Sequence, residues 1–407
     1  MDKSCDYDVI VVGAGIVGHL FAKAVTSIGL RVALIDAGER NHATSQSLKN
    51  ERAIALSLGS KKILAGLEQW AFVEKKTEAI NKIHISERKY FGRVRLDASR
   101  FNLPAFGYVV GWSTLTELIQ KATRQCVHVI RPGYVQDIKT HKYFSSVACQ
   151  VLGKTDYITS KLVVITDGAG SSTREFLGIE PKVFDYRQVA LASSVETERP
   201  HENIAYERFT HTGPLAMLPL QQRRCGLIWT LGAEHVDYFR GLTDKSLLLE
   251  LQVMFGDRLG KFRSIGSRNF FPVKLTRTRK VSVGRTIAIG NAAHGLHPIA
   301  GQGLNLAIRD VALLAEFIAD SHYEGGDIGH TELLRRYERH RAADHRIVCS
   351  ATHGLVRLFS NDSFPLAIGR NVGLTFFECL PIAKRAMVRQ ATGLAGYQSR
   401  LARGQSL

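Results

Sequence analysis

The chain has 407 residues, 45% hydrophobic and 22% charged, with 54 Lys and Arg against 37 Asp and Glu for a net charge of +17. That length and balance exclude a disordered chain and a single small core, and predict two or three packed units. The basic excess draws the protein toward something anionic. With no nucleic-acid motif and no basic run interleaved with aromatics, nucleic acid is not expected, and an anionic membrane surface is.

The first element is the apolar run "DVIVV" at 8–12, followed at once by "GAGIVG". Ala22, Val25 and Ile28 then repeat at helical spacing up to Gly29, and "RVALID" reads as a second strand ending at Asp36. Strand, glycine turn, helix and strand within about 30 residues predict a βαβ dinucleotide unit. Gly13 allows the tight turn, Gly15 lets backbone approach a pyrophosphate, and Gly18 lets helix and strand pack closely. The pyrophosphate would sit on the helix N-terminus, and Asp36 would accept hydrogen bonds from a ribose diol.

The strand "KLVVITDGAG" at 161–170 is a second strand-to-turn junction. From about 186 to 231, "VALASSVET", "IAYERFT", "LAMLPL" and "CGLIWTL" predict short antiparallel strands, and "KSLLLELQVMFG" at 245–256 an amphipathic helix. Phe209, Met217, Leu218 and Trp229 are either lining of an apolar site or plain core.

A third junction follows, "TIAIGNAAHGLHPIAGQGLN", running into a helix that carries Leu304, Ile308, Val311 and Leu314. Two histidines three apart, His294 and His297, lack the further ligands a metal site needs and read as hydrogen-bonded loop residues. From 332 the chain reads as helical to its end, dense in Arg and Lys. No run reaches 18 apolar residues, so no spanning helix is expected, and "MDKSCDYD" leads directly into a strand without a signal peptide. Six cysteines (Cys5, Cys126, Cys149, Cys225, Cys349, Cys379) show no CxxC pair and no metal-ligand spacing, which fits free thiols in a reducing cytosol.

The three junctions together resemble the aromatic-ring flavoprotein hydroxylases, single-component FAD monooxygenases. The stretches "AYERFTHTGPLAMLPL", "FGDRLGKF" and "LFSNDSFPLAIGRNVGL" place the resemblance, from residue 7 to about 393, in the ubiquinone-biosynthesis branch. It implies an α/β fold: a Rossmann-like FAD-binding domain of the para-hydroxybenzoate hydroxylase type, with an inserted antiparallel-sheet substrate domain and a helical C-terminus. The expected boundaries are 1–83, 104–182 and 277–335 for FAD binding, 84–103 and 183–276 for the substrate domain, and 336–407 for the helical region.

The resemblance also implies site residues. Asp167, with Gly168 and Arg174, belongs to the second FAD motif, and Arg52 in "ERAIALSLGSKKIL" contacts the flavin side. The third junction, with Gly290, Asn291, Pro298, Gly301 and Gly303, places the ribityl chain and flavin ring against a helix N-terminus, and Asn305 braces it. Relatives begin this junction Gly-Asp; here Asn291 bonds without charge. Glu117 stands where relatives often carry a Gln toward the FAD phosphates and is expected to point elsewhere.

The implied reaction uses FAD, O₂ and a transient electron donor, NAD(P)H or another. A flavin C4a-hydroperoxide hydroxylates the ring of a polyprenylated methoxyphenol, with no protein nucleophile and no catalytic base singled out. The implied setting is the cytoplasm, peripheral on the inner face of the membrane, with other ubiquinone-biosynthesis proteins as partners. Hydroxylation at another ring position, a reductase or epoxidase reaction, and a non-catalytic FAD-holding subunit stay open; a halogenase lacks its Trp-x-Trp-x-Ile motif here. "FPLAIGRNVGLTFFECLPIAKRAMVRQ" is the expected membrane contact, with Leu366, Ile368, Val372, Leu374, Phe376 and Phe377 supplying apolar surface and Arg370, Lys384, Arg385 and Arg389 charge.

Overall fold

The computed structural model describes residues 5–38, 52–296, 301–359 and 364–407. Its first sheet runs in the order Ser282–Val283, Thr286–Ala288, Lys154–Ile165, Tyr7–Val12, Val32–Ile35, His128–Ile130. Tyr7–Val12 lies parallel to both neighbours, Val9 pairing with Val32 on one side and Leu162 on the other. Both faces are covered, which is why this strand reads as an unbroken apolar run. Val9 and Val11 join the core under the helices Ile16–Thr26 and Gln302–Tyr323. Ile10 and Val12 face the other way, onto Ile138, Val147 and Cys149 of an antiparallel extension.

The second sheet has nine strands. Its centre is Pro181–Thr197, Arg224–Gly232, Gly213–Leu220 and Ile204–Thr210, antiparallel in turn. Two features differ from the expected inserted sheet. Ile204–Thr210 pairs parallel with Lys82–Glu87, a strand contributed from far upstream. The sheet's strands also begin at Lys82 and Pro181 and end at Thr278, and His294–Gly295 adds an edge. The boundaries at 83/84, 182/183 and 276/277 therefore fall inside strands.

One face of this sheet packs Leu215, Met217, Leu227 and Trp229 against Phe239, Leu247, Leu251 and Phe255 of two short helices. The opposite face looks toward the first sheet. A small third sheet, Ala53–Ser57, Gly107–Gly111 and Glu78–Ile80, lies between the two.

The C-terminal region forms helices Thr331–Phe359, Phe364–Glu378 and Pro381–Ala391. It is not helical to its end: residues 392–407 hold only the 3₁₀ turn Leu401–Arg403. This tail docks on the FAD-type unit, with Gly59 N–H donating to the Thr392 carbonyl at 2.8 Å and Leu401 fully buried. No described helix is long and apolar enough to cross a membrane.

Candidate active site

Between the sheets lies a cavity of about 1430 Å³. Its walls include the predicted Gly13, Gly15, Asp36, Arg52, Asp167, Asn291, Gly301, Gly303 and Asn305. Pro298 and His297 lie outside the described residues.

The first glycine turn is built by close approach. Gly13 adopts φ +101°, and a Cβ there would lie 2.7 Å from the Asp167 backbone. A Cβ on Gly18 would meet the Gly13 carbonyl oxygen at 2.0 Å. On Gly15 it would meet nothing within 4 Å. Gly15 is the N-cap of Ile16–Thr26, which has neither a side-chain cap nor an acid in its first turn. Its end therefore presents backbone N–H groups and the positive pole of the helix dipole.

Asp36 already has work within the protein. Oδ2 accepts the Ala14 N–H at 2.6 Å, Oδ1 accepts the Gly38 N–H at 2.9 Å, and Arg131 Nε stands 3.1 Å away. A carboxylate has about four acceptor positions, so capacity for a diol remains. Glu117 is exposed and does not line the cavity. Gln120, one turn on, donates to the Ala14 carbonyl at 3.3 Å; the sequence reading missed it.

At the second junction Asp167 has an Oδ1 that is buried and without a hydrogen-bond partner among the described residues. A buried orphan acceptor on a cavity wall fits a ligand that brings hydroxyls, as the ribityl chain of FAD does. Arg174 is buried and donates to the Ala292 carbonyl at 2.8 Å, tying the second junction to the third.

At the third junction Gly290 has φ +60°, and a Cβ there would press on Ala307 at 3.2 Å and Val17 at 3.3 Å. Gly301 has φ +58° and is the N-cap of the 22-residue helix Gln302–Tyr323, again without a side-chain cap or an early acid. A Cβ on Gly303 would meet nothing. Asn305 is saturated: Oδ1 accepts from Ser57 N–H (2.8 Å) and Ser60 Oγ (2.7 Å), and Nδ2 donates to the Ala55 (2.9 Å) and Gly301 (2.8 Å) carbonyls. Its amide braces the wall and has no bond to spare for a ligand.

Arg52 is held as a cation over two rings, 5.2 Å from the Trp112 centroid and 4.9 Å from that of Phe271. Burial lowers its pKa from the usual arginine value.

Behind the third junction is a buried network that the sequence reading did not find. Asp310 accepts from His294 Nε2 (2.6 Å), His345 Nε2 (2.8 Å), Arg341 Nε (2.6 Å) and the Gly290 N–H (3.2 Å). Despite burial, Arg341 and the histidines hold the Asp310 carboxyl well below its ordinary range, while burial pushes His345 down to about 4. His294, Asp310 and His345 are spaced for an ion, but here Asp310 Oδ1 accepts from Arg341 and His345 and Oδ2 from His294 and the Gly290 N–H. The network instead fixes the Gly290 turn.

Of the apolar candidates, Phe209 and Leu218 line the cavity. Met217 and Trp229 do not: both are fully buried on the opposite face, with Trp229 Nε1 donating to Thr212 Oγ1 at 3.0 Å. Strand alternation sends neighbouring residues to opposite sides. Arg370 also corrects the expectation of a lipid-facing charge. It is buried and paired with Glu87 at 2.6 Å. Lys384 pairs with Glu378 at 2.9 Å, whereas Arg385 and Arg389 are exposed, as are the apolar Val372, Phe376 and Ile382 of the same two helices. Leu374 and Phe377 line the cavity.

Residues 6–351 match the family model described as "FAD binding domain". The chain is 34% identical over 403 residues to the uncharacterized protein slr1300 of Synechocystis, covering 98% of this chain and 96% of that one. It is 32% identical to the ubiquinone hydroxylase UbiL of Rhodospirillum rubrum (98% and 93% covered) and 29% identical to the 3-demethoxyubiquinol 3-hydroxylase of Escherichia coli (95% and 98%). Its fold is similar to p-nitrophenol 4-monooxygenase from Pseudomonas putida, with TM-score 0.77, 18% identity, and 96% and 98% of the two chains covered.

Proposed function

The chain belongs to the FAD-dependent aromatic-ring hydroxylases of ubiquinone biosynthesis, and on that premise we propose that it hydroxylates the ring of a polyprenylated methoxyphenol, as a 2-polyprenyl-6-methoxyphenol hydroxylase does. One observation carries the reading. A single cavity of about 1430 Å³ holds the glycine junctions at one end and an apolar wall with Ile83, Ile85, Leu96, Leu218, Leu374 and Phe377 at the other. An ordinary ligand pocket is roughly 300–1,000 Å³, so there is room for a dinucleotide and a second, apolar molecule.

Bound FAD supplies the activation of O₂. Gly13, Gly15 and Gly18 let backbone N–H groups meet the pyrophosphate. Asp36 would take the ribose, and Asp167 and Asn291 would hold the ribityl and phosphate side. The N-terminus of Gln302–Tyr323, opened by Gly301 and Gly303, would offer its positive pole to the flavin ring and favour negative charge there. Arg52 adds a fixed cation. The apolar wall keeps water out and orients the phenol. NAD(P)H or another donor visits transiently.

The substrate sets the place of work. Each buried methylene favours an apolar phase by about 0.8 kcal/mol, so a polyprenyl tail stays in a bilayer. We place the protein in the cytoplasm, peripheral on the inner face of the membrane and beside other proteins of the pathway. The surface carrying Val372, Phe376, Ile382, Arg385 and Arg389 would meet anionic lipid. Mass spectrometry of the quinone precursor that accumulates on deletion of the gene tests the substrate. A polyprenyl-methoxyphenol is expected; accumulation of a demethoxyquinol moves the reaction to another ring position.

A further inference from the structure

The side chains that the second sheet turns to the cavity are apolar but for one carboxylate; Tyr206 also borders the cavity, but its ring packs on Phe255 in the opposite core. Ala205, Phe209, Ala216, Leu218 and Ile228 project there, and among them stands Glu207. Its cross-strand partners are Ile85 and Ala216, both cavity-lining. No hydrogen bond or ion pair holds its carboxyl among the described residues. The groups around it are accounted for. Glu87, on the adjacent strand, is taken by Arg370 and by Asn371 Nδ2 at 2.8 Å. Arg370, the cavity-lining charge of Phe364–Glu378, is in that same pair. The cavity-lining residues of Thr331–Phe359 (Val348, Ala351, Thr352, Leu355, Leu358) and of Gly213–Leu220 (Ala216, Leu218) do not ionise. Arg52 is stacked on its rings.

We propose, on the reading that the substrate is a phenol, that Glu207 is the general base of the hydroxylation, accepting the hydroxyl proton of the bound ring. The proton passes from the phenol oxygen to the Glu207 carboxylate, which becomes a neutral acid. The oxygen lone pair left behind feeds the ring and makes its ortho and para carbons more nucleophilic. No electrons are exchanged in this step; the oxidising oxygen is the one that the family's reaction already supplies.

Three features fit this role. The carboxyl is the polar handle on an apolar wall, so it fixes which end of an amphipathic substrate turns inward. Its partial exposure opens onto the cavity, while the surrounding protein desolvates it. Burial alone pushes Glu207 up to about 7, the range in which a carboxylate serves as a base near neutral pH. A free phenol ionises near 10, about three units higher, so the proton moves in the transition state and not by full ionisation beforehand.

The test uses the FAD-loaded full chain, reduced anaerobically and mixed with O₂ and a short-chain 2-polyprenyl-6-methoxyphenol. Glu207→Gln is expected to hold a full complement of FAD and to bind the probe within about threefold of wild type. Its product formation should fall about 10²- to 10⁴-fold, with hydrogen peroxide released instead. The wild-type rate should rise through a limb near pH 7 that Glu207→Gln lacks, and Glu207→Asp should recover part of the rate. A Glu207→Gln protein that hydroxylates within threefold of wild type with the same limb overturns the proposal. So does one that loses FAD or probe binding outright, since the role is then structural. A wild type that hydroxylates no polyprenylated phenol overturns the substrate reading instead, and with it the base.

Discussion

Gly18 faces the carbonyl oxygen of Gly13 so closely that a Cβ at 18 would lie 2.0 Å from it, while a Cβ at Gly15 would point into open space. Two glycines of one turn therefore have different jobs. Gly18 is needed for the turn to close, and Gly15 keeps the space beyond it free. Gly18→Val should give little folded protein. Gly15→Val should fold with a normal circular dichroism spectrum and lose most of its flavin absorbance. A fully yellow Gly15→Val protein would move the pyrophosphate elsewhere.

At the other end of the cavity, Gly303 also has free space where a side chain would be. Gly303→Val should keep much of its FAD, because the ADP half is held at the first junction, and should lose most hydroxylation. Flavin content and turnover measured on the same preparation check this; retained turnover removes the loop from the chemistry.

Asn305 ties the helix beginning at Gln302 to the strand Ala53–Ser57 through two hydrogen bonds, from Ser57 N–H and to the Ala55 carbonyl, and makes two more, from Ser60 Oγ and to the Gly301 carbonyl. Asn305→Leu leaves several buried partners unsatisfied, at about 1–3 kcal/mol for each one that finds no water, so a loss of about 3 kcal/mol is expected. Thermal unfolding of the FAD-loaded form measures it, and an unchanged Tm would show that the brace is dispensable.

His19 is buried, 2.7 Å from Thr123 Oγ1, and burial with nearby Arg131 lowers its pKa from 6.5 to about 4. Unfolded, it takes a proton below about 6.5; folded, only below about 4. Between those values the unfolded state binds more protons, so stability falls as pH drops, by up to about 3 kcal/mol for a shift of that size. Denaturant titrations from pH 7 to 4 should show the fall, and His19→Gln should flatten it. An identical slope in the variant would assign the effect to other groups.

The proposed bilayer contact predicts that binding to anionic vesicles weakens with salt and drops further in Phe376→Glu and Ile382→Glu. Point changes are the right probe because the tail beyond 391 packs on the FAD-type unit. Co-sedimentation equal to wild type in both variants would shift the contact to another surface.

The local parts of this molecule were legible in the sequence, and the distant pairings were not. The turn at Gly13, Gly15 and Gly18 announces itself because strand, turn and helix are contiguous and each position has one steric requirement. The Asp310 network draws on Gly290, His294, Arg341 and His345, brought together only when Thr331–Phe359 packs against Gln302–Tyr323, and no short-range spacing signals that. Arg370 looked like a surface charge because Glu87 is 283 residues away. Trp229 and Met217 stayed open between site lining and plain core because both faces of their sheet are apolar, so alternation gives no contrast. Glu207 was hidden for a related reason: a carboxylate in "AYERFT" reads as the solvent face of a strand until a cavity is found there.

On the proposed reading, this protein places an oxygen atom from O₂ on the ring of a polyprenylated phenol. A single turnover of the reduced, FAD-loaded protein with ¹⁸O₂ and a short-chain 2-polyprenyl-6-methoxyphenol, read by mass spectrometry, tests it most directly. A product that gains one labelled oxygen on the ring is expected. Recovery of unchanged phenol after the probe has bound and the flavin has been reoxidised, with all oxygen released as peroxide or water, would contradict it.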